Sequence, residues 1–223
     1  MRTALVILRK DLRLELRSLE TVPAMVMFSV IVFVMFHFGL NTITVKGQEA
    51  AGIFTATLLI AALLGINRLF VAEREQGGFD AFLLAPVDRT ALFVAKATAL
   101  YLYLTLLEVI AVPAFKLFLL GPSLGGSLPG VIAVLALANL GIVAIGTLVS
   151  AIAIQTRARD LIGPLIGLPL QIPSLIGTAR ALGPLFAGHP ASAPPGKWVA
   201  VLALYDVVFA LLAYAVFDFL LED

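Results

Sequence analysis

Two carboxylates stand where carboxylates are costly. Glu108 and Asp206 each interrupt a long apolar run of the chain. Glu108 lies about 16 Å from Ala97 along a helix rising about 1.5 Å per residue, which is near mid-membrane. An ionisable side chain at that depth points first to function, either contact with a transported solute or a proton relay. The structural alternative is a hydrogen bond to a neighbouring helix through Asn139, Gln171 or a tyrosine. Both readings stand at the level of sequence.

Other chemistry is excluded by residue type. There are no cysteines, so disulfides, thiolate metal sites, cysteine nucleophiles and cysteine-attached haem are ruled out. A P-loop needs a glycine-rich turn ending in Lys followed by Ser or Thr. The five lysines are followed by Asp11, Gly47, Ala97, Leu117 and Trp198, so the chain binds no ATP in that way. Of the two histidines, His189 lies in a loop and His37 near the end of an apolar run. A bis-histidine haem between facing helices is therefore not expected. His37 remains a single candidate haem ligand, with an interfacial polar residue as the plainer reading. No H-E-x-x-H pattern, Ser–His arrangement or paired-Asp set is present, so no catalytic or metal-ligating site is expected and an intramembrane enzyme is disfavoured.

The elements that must position these residues are membrane helices. The chain of 223 residues is 61% apolar and 13% charged, too little polar surface for a soluble domain. Its apolar residues fall in runs of about 18 or more, long enough to cross the hydrocarbon core as helices. Six spans are predicted: 22–40, 50–67, 97–120, 130–154, 161–179 and 198–217. Before them, residues 1–21 form an amphipathic interfacial helix. Leu5, Leu8, Leu12, Leu16 and Leu19 share one face, with Arg2, Arg9, Lys10, Asp11, Arg13, Glu15 and Arg17 supplying the polar remainder. Residues 22–223 then make one six-span transmembrane domain, an all-α fold. The early charges are not those of a secretory signal.

Lysine and arginine placement predicts orientation. Eleven lie in the N-terminal segment and in the loops after spans 2 and 4, against four (Lys46, Lys116, Arg180, Lys197) on the other side. The richer side is expected to be cytoplasmic, with both termini inside. The net charge of +1 singles out no partner class. Lipid is the required surrounding, and no nucleic acid is expected.

Two segments depart from simple spans and turns. Span 5 contains Gly163, Pro164, Gly167, Pro169 and Pro173. The prolines predict kinks, and the Gly163–Gly167 pair offers a weak G-x-x-x-G signal for close helix approach. The segment 68–96 is too long for a turn. After Gly77 and Gly78 it presents a short apolar face of Phe79, Phe82 and Leu83, and Pro86 stops it. Left to itself, it reads as an interfacial connector.

In that segment Glu73, Arg74, Gly77, Phe79, Asp80, Leu83, Leu84, Pro86 and Val87 resemble the cytoplasmic loop of ABC-2 type (type V) exporter permeases. Within that class the chain is most similar to the haem-exporter B (CcmB) family of the cytochrome c maturation system. The charged stretch from Leu8 to Arg17 and the Asn67-Arg68-Leu69-Phe70 junction also carry the likeness. The resemblance implies a permease subunit of the bacterial inner membrane, not an enzyme. Its segment 68–96 would hold a coupling helix, with Glu73, Arg74, Gly77, Phe79, Asp80, Phe82, Leu83 and Pro86 docking on a separate ATPase. It further implies two ATPase copies, a second copy of this chain, a haem-handling membrane subunit, a small accessory membrane subunit and a periplasmic haem chaperone. ATP would bind the ATPase and haem the partner proteins, with no cofactor held by this chain. ATP hydrolysis would drive release of the haem-loaded chaperone. The rival expectations are a generic ABC-2 permease for a lipid, glycan or drug, and a membrane scaffold that transports nothing.

Overall fold

The structure is a computed structural model that describes residues 2–40, 44–69, 89–121, 127–154, 163–187 and 193–220. Among these residues it contains seven α-helices: α1 Arg2–Ser18, α2 Thr21–Gly39, α3 Gly47–Arg68, α4 Arg89–Phe115, α5 Leu128–Ile154, α6 Leu168–Leu182 and α7 Gly196–Leu220. π-helical turns extend α4 through Lys116–Leu120 and precede α6 at Gly163–Gly167. Six helical segments, built on α2 to α7, are long and apolar enough to cross a membrane. They fall on the six predicted spans, with one substantial difference. The third begins at Arg89, not near Ala97, so the last residues of the supposed loop 68–96 are the first turns of α4. Hydropathy misses them because Lys96 and Arg89 dilute it, although Ala91, Leu92 and Ala95 give a buried helical face.

α3 and α5 are the most enclosed spans. α2, α4 and α6 pack around α3, while α4, α6 and α7 pack around α5. α2 and α7 leave broad apolar faces open, including Met27, Ile31 and Met35 on α2 and Leu204, Val207 and Leu211 on α7. Such faces are ordinary for helices bounded by hydrocarbon. At the end of the bundle away from α1, Phe33 of α2, Phe54 of α3, Phe115 of α4 and Phe186 after α6 form a buried aromatic knot. The Phe54 ring centroid lies 4.8 Å from that of Phe115, 5.7 Å from Phe186 and 6.1 Å from Phe33. Nearby, the Val45 N–H donates to the Leu119 carbonyl and the Gly47 N–H to the Phe186 carbonyl, tying the α2–α3 connection to the same end.

Pro169 and Gly167 act differently from the sequence expectation. In α6, Pro169 sits in the first turn, where its missing N–H is harmless. Only Pro173 lies inside that helix. Pro113 is internal to α4, and that helix widens into its π turn three residues later. Gly167 has ordinary van der Waals room, the nearest atoms to a Cβ there lying 3.8 and 4.0 Å away, so the predicted G-x-x-x-G contact does not form at it. The tightest approaches within helices are on α5, and on α6 itself it is Gly177, with Leu202 Cδ2 3.0 Å from a Cβ there, that lies close to a neighbour. A Cβ at Gly146 would stand 2.7 Å from Ile66 Cδ1 of α3, and one at Gly141 would stand 2.7 Å from Asp206 Oδ1 and 2.9 Å from the Tyr205 ring of α7. Packing in lipid relies on such backbone proximity. Gly141→Val is expected to loosen α7 from α5 at a cost of about 1–3 kcal/mol, typical of overpacking. A lowered midpoint of SDS-induced unfolding in mixed micelles checks it, and an unchanged midpoint would contradict the close contact.

Candidate functional site

The predicted docking residues Glu73, Arg74, Gly77, Phe79, Asp80, Phe82, Leu83 and Pro86 lie outside the described residues. The two ends of their segment are described: Lys96 is anchored to the N-terminal helix and Arg68 to Glu20 at the start of α2. α1 packs along α4. Its packed face runs through Ile7, Leu8, Asp11 and Leu12, whereas Leu5, Leu16 and Leu19 remain exposed. The leucine stripe seen in sequence is therefore divided. Part of it meets the protein, and part is left open.

Asp11 is at the centre of the packed face. Its Oδ2 lies 3.0 Å from Lys96 Nζ, and the two side chains are only 8% and 2% exposed. Lys96 Nζ also donates to the Leu69 carbonyl at 3.0 Å, reaching the last turn of α3. Lys10, half exposed, approaches the other Asp11 oxygen at 3.3 Å. On the opposite flank, Arg68 Nη1 pairs with Glu20 Oε2 at 2.9 Å in an exposed setting, worth about 0–1 kcal/mol. Between these pairs, Glu15 Oε1 accepts hydrogen bonds from the backbone N–H groups of Thr21 at 2.9 Å and Val22 at 2.8 Å. Those are orphan donors at the start of α2, and a carboxylate also suits that end of the helix dipole. Leu19, with φ of 51°, turns the chain between α1 and α2.

One assembly thus joins α1, the start of α2, the end of α3 and the start of α4. Sequence reading placed Asp11 and Glu15 with the solvated residues and Lys96 in a loop. The available signal was register: Asp11 shares a helical face with Ile7 and Leu8, where a charge needs a partner.

The mid-membrane residues form a second site. Asn139 Nδ2 of α5 donates to Glu108 Oε2 of α4 at 3.1 Å, which is the structural alternative considered for Glu108. On one side of this pair, a small, mostly apolar space of about 20 Å³ lies among α3, α4, α5 and α6, with Leu58, Leu107, Leu135, Thr55, Gln171 and Ser174 among its lining residues. On the other, a cleft of about 400 Å³ lies between α4 and α5, with Tyr101, Val112 and Ile132 in its walls. Glu108 and Asn139 line both spaces. Gln171 Nε2 donates to the Ile142 carbonyl at 3.3 Å.

Asp206 is separate from that pair. It is 7% exposed at the α5–α7 contact beside Gly141, and neither carboxylate oxygen has a hydrogen-bond partner among the described residues. The expected bond to Asn139, Gln171 or a tyrosine is not made. Asn139 is engaged by Glu108, Gln171 by Ile142, and the neighbouring Tyr205 hydroxyl donates to the Leu170 carbonyl at 2.6 Å. His37, the single haem-ligand candidate, directs Nδ1 to the Phe118 carbonyl and packs edge-on against the Phe38 and Phe118 rings. This arrangement fits a half-buried residue joining α2 to the end of α4. Among the described residues, no group of three or more His, Asp or Glu is placed to hold a metal ion.

Residues 2–219 match the family described as CcmB protein. The chain is 30% identical over 212 residues to heme exporter protein B of Paracoccus denitrificans, covering 95% of this chain and 94% of that relative. It is 30% identical over 171 residues to heme exporter protein B of Rhodobacter capsulatus, covering 76% and 78%. With heme exporter protein B of Bradyrhizobium diazoefficiens the identity is 27% over 211 residues, covering 94% of each.

Proposed function

As the chain belongs to the CcmB family, we propose that it is the permease subunit of an ABC transporter complex that serves haem delivery for cytochrome c maturation. The observation that carries this reading is the match along nearly the whole chain to relatives named heme exporter protein B. The six apolar helices support a multi-pass protein, and lysine and arginine placement favours cytoplasmic termini in a bacterial inner membrane.

In this reading the energy comes from a separate ATPase, bound in two copies to two copies of this chain. The segment 68–96 takes the thrust of that ATPase through Glu73, Arg74, Gly77, Phe79, Asp80, Phe82, Leu83 and Pro86. Its ends are held by the Lys96–Asp11 and Arg68–Glu20 pairs, so a push on the segment is passed to α1 and the starts of α2 and α4 as one body. The haem-handling subunit, the accessory subunit and the chaperone complete the complex. Hydrolysis there releases the haem-loaded chaperone, and haem stays on the partners. A two-state packing of helices is the physical requirement for such coupling.

The test is the content of covalently haem-bound c-type cytochromes in a strain lacking the gene. That content is expected to be lost, restored by the intact gene, and not restored by a copy carrying Phe82→Asp and Leu83→Asp. The doubly substituted chain is expected to insert normally but to recover less than about a tenth of the ATPase, since a charge at each apolar anchor of a docking face removes its hot spot. Unchanged cytochrome content in the deletion strain would reject the maturation role. Normal ATPase recovery with the double variant would reject docking through these residues.

A further inference from the structure

The fold sorts the charges of the N-terminal helix by sign. α1 and the turn after it carry three acidic residues, Asp11, Glu15 and Glu20. Each is taken up by the protein: Asp11 by Lys96, Glu15 by the first N–H groups of α2, and Glu20 by Arg68. The arginines are not. Arg9, Arg13 and Arg17 are exposed, and none forms an ion pair among the described residues. They recur every four residues, so they stand in one row with steps of about 6 Å. Like charges at that spacing repel, and the acids that could offset them are committed elsewhere. An apolar edge runs beside the row. At about 100° per residue, Leu5 and Leu16 fall within about 40° of Arg9. Leu5, Leu16 and, just past the helix, Leu19 are all at least 61% exposed. Solvation alone would account for the arginines but not for the leucines. A neutral lipid surface would account for the leucines but not for the arginines.

We propose that this face of α1 binds the headgroups of anionic phospholipids, with Arg9, Arg13 and Arg17 as the phosphate contacts. The leucine edge enters the acyl region, and the guanidinium groups stand at the level of the phosphates. Each guanidinium can grip a phosphate through two parallel N–H bonds. Zwitterionic headgroups carry the same phosphate but offset it with a cationic amine, so net charge is what the row distinguishes. The opposite face of α1 is fixed to α4 through Asp11 and Lys96. Lipid bound at the row is therefore held beside the start of that helix. This surface stands independently of which solute the complex serves.

Quenching by brominated lipids, measured on the full chain in bilayers, tests the surface. Trp198→Phe removes the chain's one tryptophan, and Leu16→Trp places a reporter on the leucine edge. In mixed bilayers, dibrominated phosphatidylglycerol is expected to be preferred beside the reporter over dibrominated phosphatidylcholine by at least about fivefold, the effect of one basic side chain at a charged surface. The preference is expected to shrink in about 1 M salt, where charges are screened beyond about 3 Å. Arg9→Gln, Arg13→Gln and Arg17→Gln together are expected to bring it within about twofold of unity, whereas Lys at all three positions keeps most of it. A reporter that neither lipid quenches would overturn the proposal, as would equal quenching by both, and neither outcome depends on the arginine variants. A preference that survives in the folded glutamine variant would overturn it too, by placing the lipid on other charges. Loss of ATPase recovery in the glutamine variant, with equal lipid quenching when the arginines are intact, would assign the row to an acidic protein surface instead.

Discussion

Lys96→Met is expected to destabilise the protein by about 3 kcal/mol, near the lower end of the 3–5 kcal/mol typical when one member of a buried ion pair is removed. Methionine keeps most of the lysine volume, so the loss is electrostatic. Asp11 would be left 8% exposed with its Oδ2 facing an apolar partner, and the Leu69 carbonyl would lose its donor. Lys10 remains 3.3 Å from the other oxygen, but it is half exposed and well screened, so it softens the cost without replacing Lys96. The sign reverses in the double variant. Asp11→Leu with Lys96→Met removes both charges, and apolar replacement of a buried pair is often neutral or stabilising. Unfolding midpoints of the purified protein in detergent separate the cases. A single-variant loss under about 1 kcal/mol would mean that the pair is solvated in the membrane-bound protein. The double variant also divides stability from function. If α1 relays force from the coupling segment, a stable double variant should still show weakened coupling, read as ATPase activity no longer changed by the permease.

Phe54→Ala is expected to cost about 3–5 kcal/mol. The Phe54 ring is fully buried and stands at the middle of the aromatic knot, 4.8 Å from Phe115 and 5.7 Å from Phe186 by centroid. Lipid cannot fill the space left between four helical elements, and aromatic pairing adds about 0.5–1.5 kcal/mol beyond the area buried. The effect should centre on the end of the bundle distant from α1. Hydrogen exchange should therefore rise at Val45 and Gly47, whose N–H groups bond to Leu119 and Phe186, before it rises at the Glu15-capped start of α2. Uniform loosening of both ends would contradict a local role for the knot.

The number of spans and the amphipathic start were legible in the residues themselves. A stretch such as Val22–Leu40 has no stable alternative to a helix in hydrocarbon, because its backbone groups must bond within the segment. The likeness around Glu73 to Val87 was likewise written in residue types and spacing. Even the Glu108–Asn139 bond was foreseen as one of a short set of partners, since a mid-membrane carboxyl has few groups to choose from. What composition could not supply was register between helices. Hydropathy sees Lys96 and Asp11 as polar and assigns each to water, yet rotation of α1 against α4 buries both and makes them partners. It counts the leucines of α1 as one stripe, although only contact with α4 decides which are covered. It flags Gly167 by its spacing from Gly163, although Gly167 has ordinary room and the tightest helix contacts occur at Gly141 and Gly146, where the helices that cross are distant in sequence. It also cannot find the unpartnered Gln171 oxygen, which exists only once Ile142 has claimed the other end of the amide. Local chain chemistry determines that a membrane helix forms; the tertiary fold determines which of its polar atoms are left without a partner.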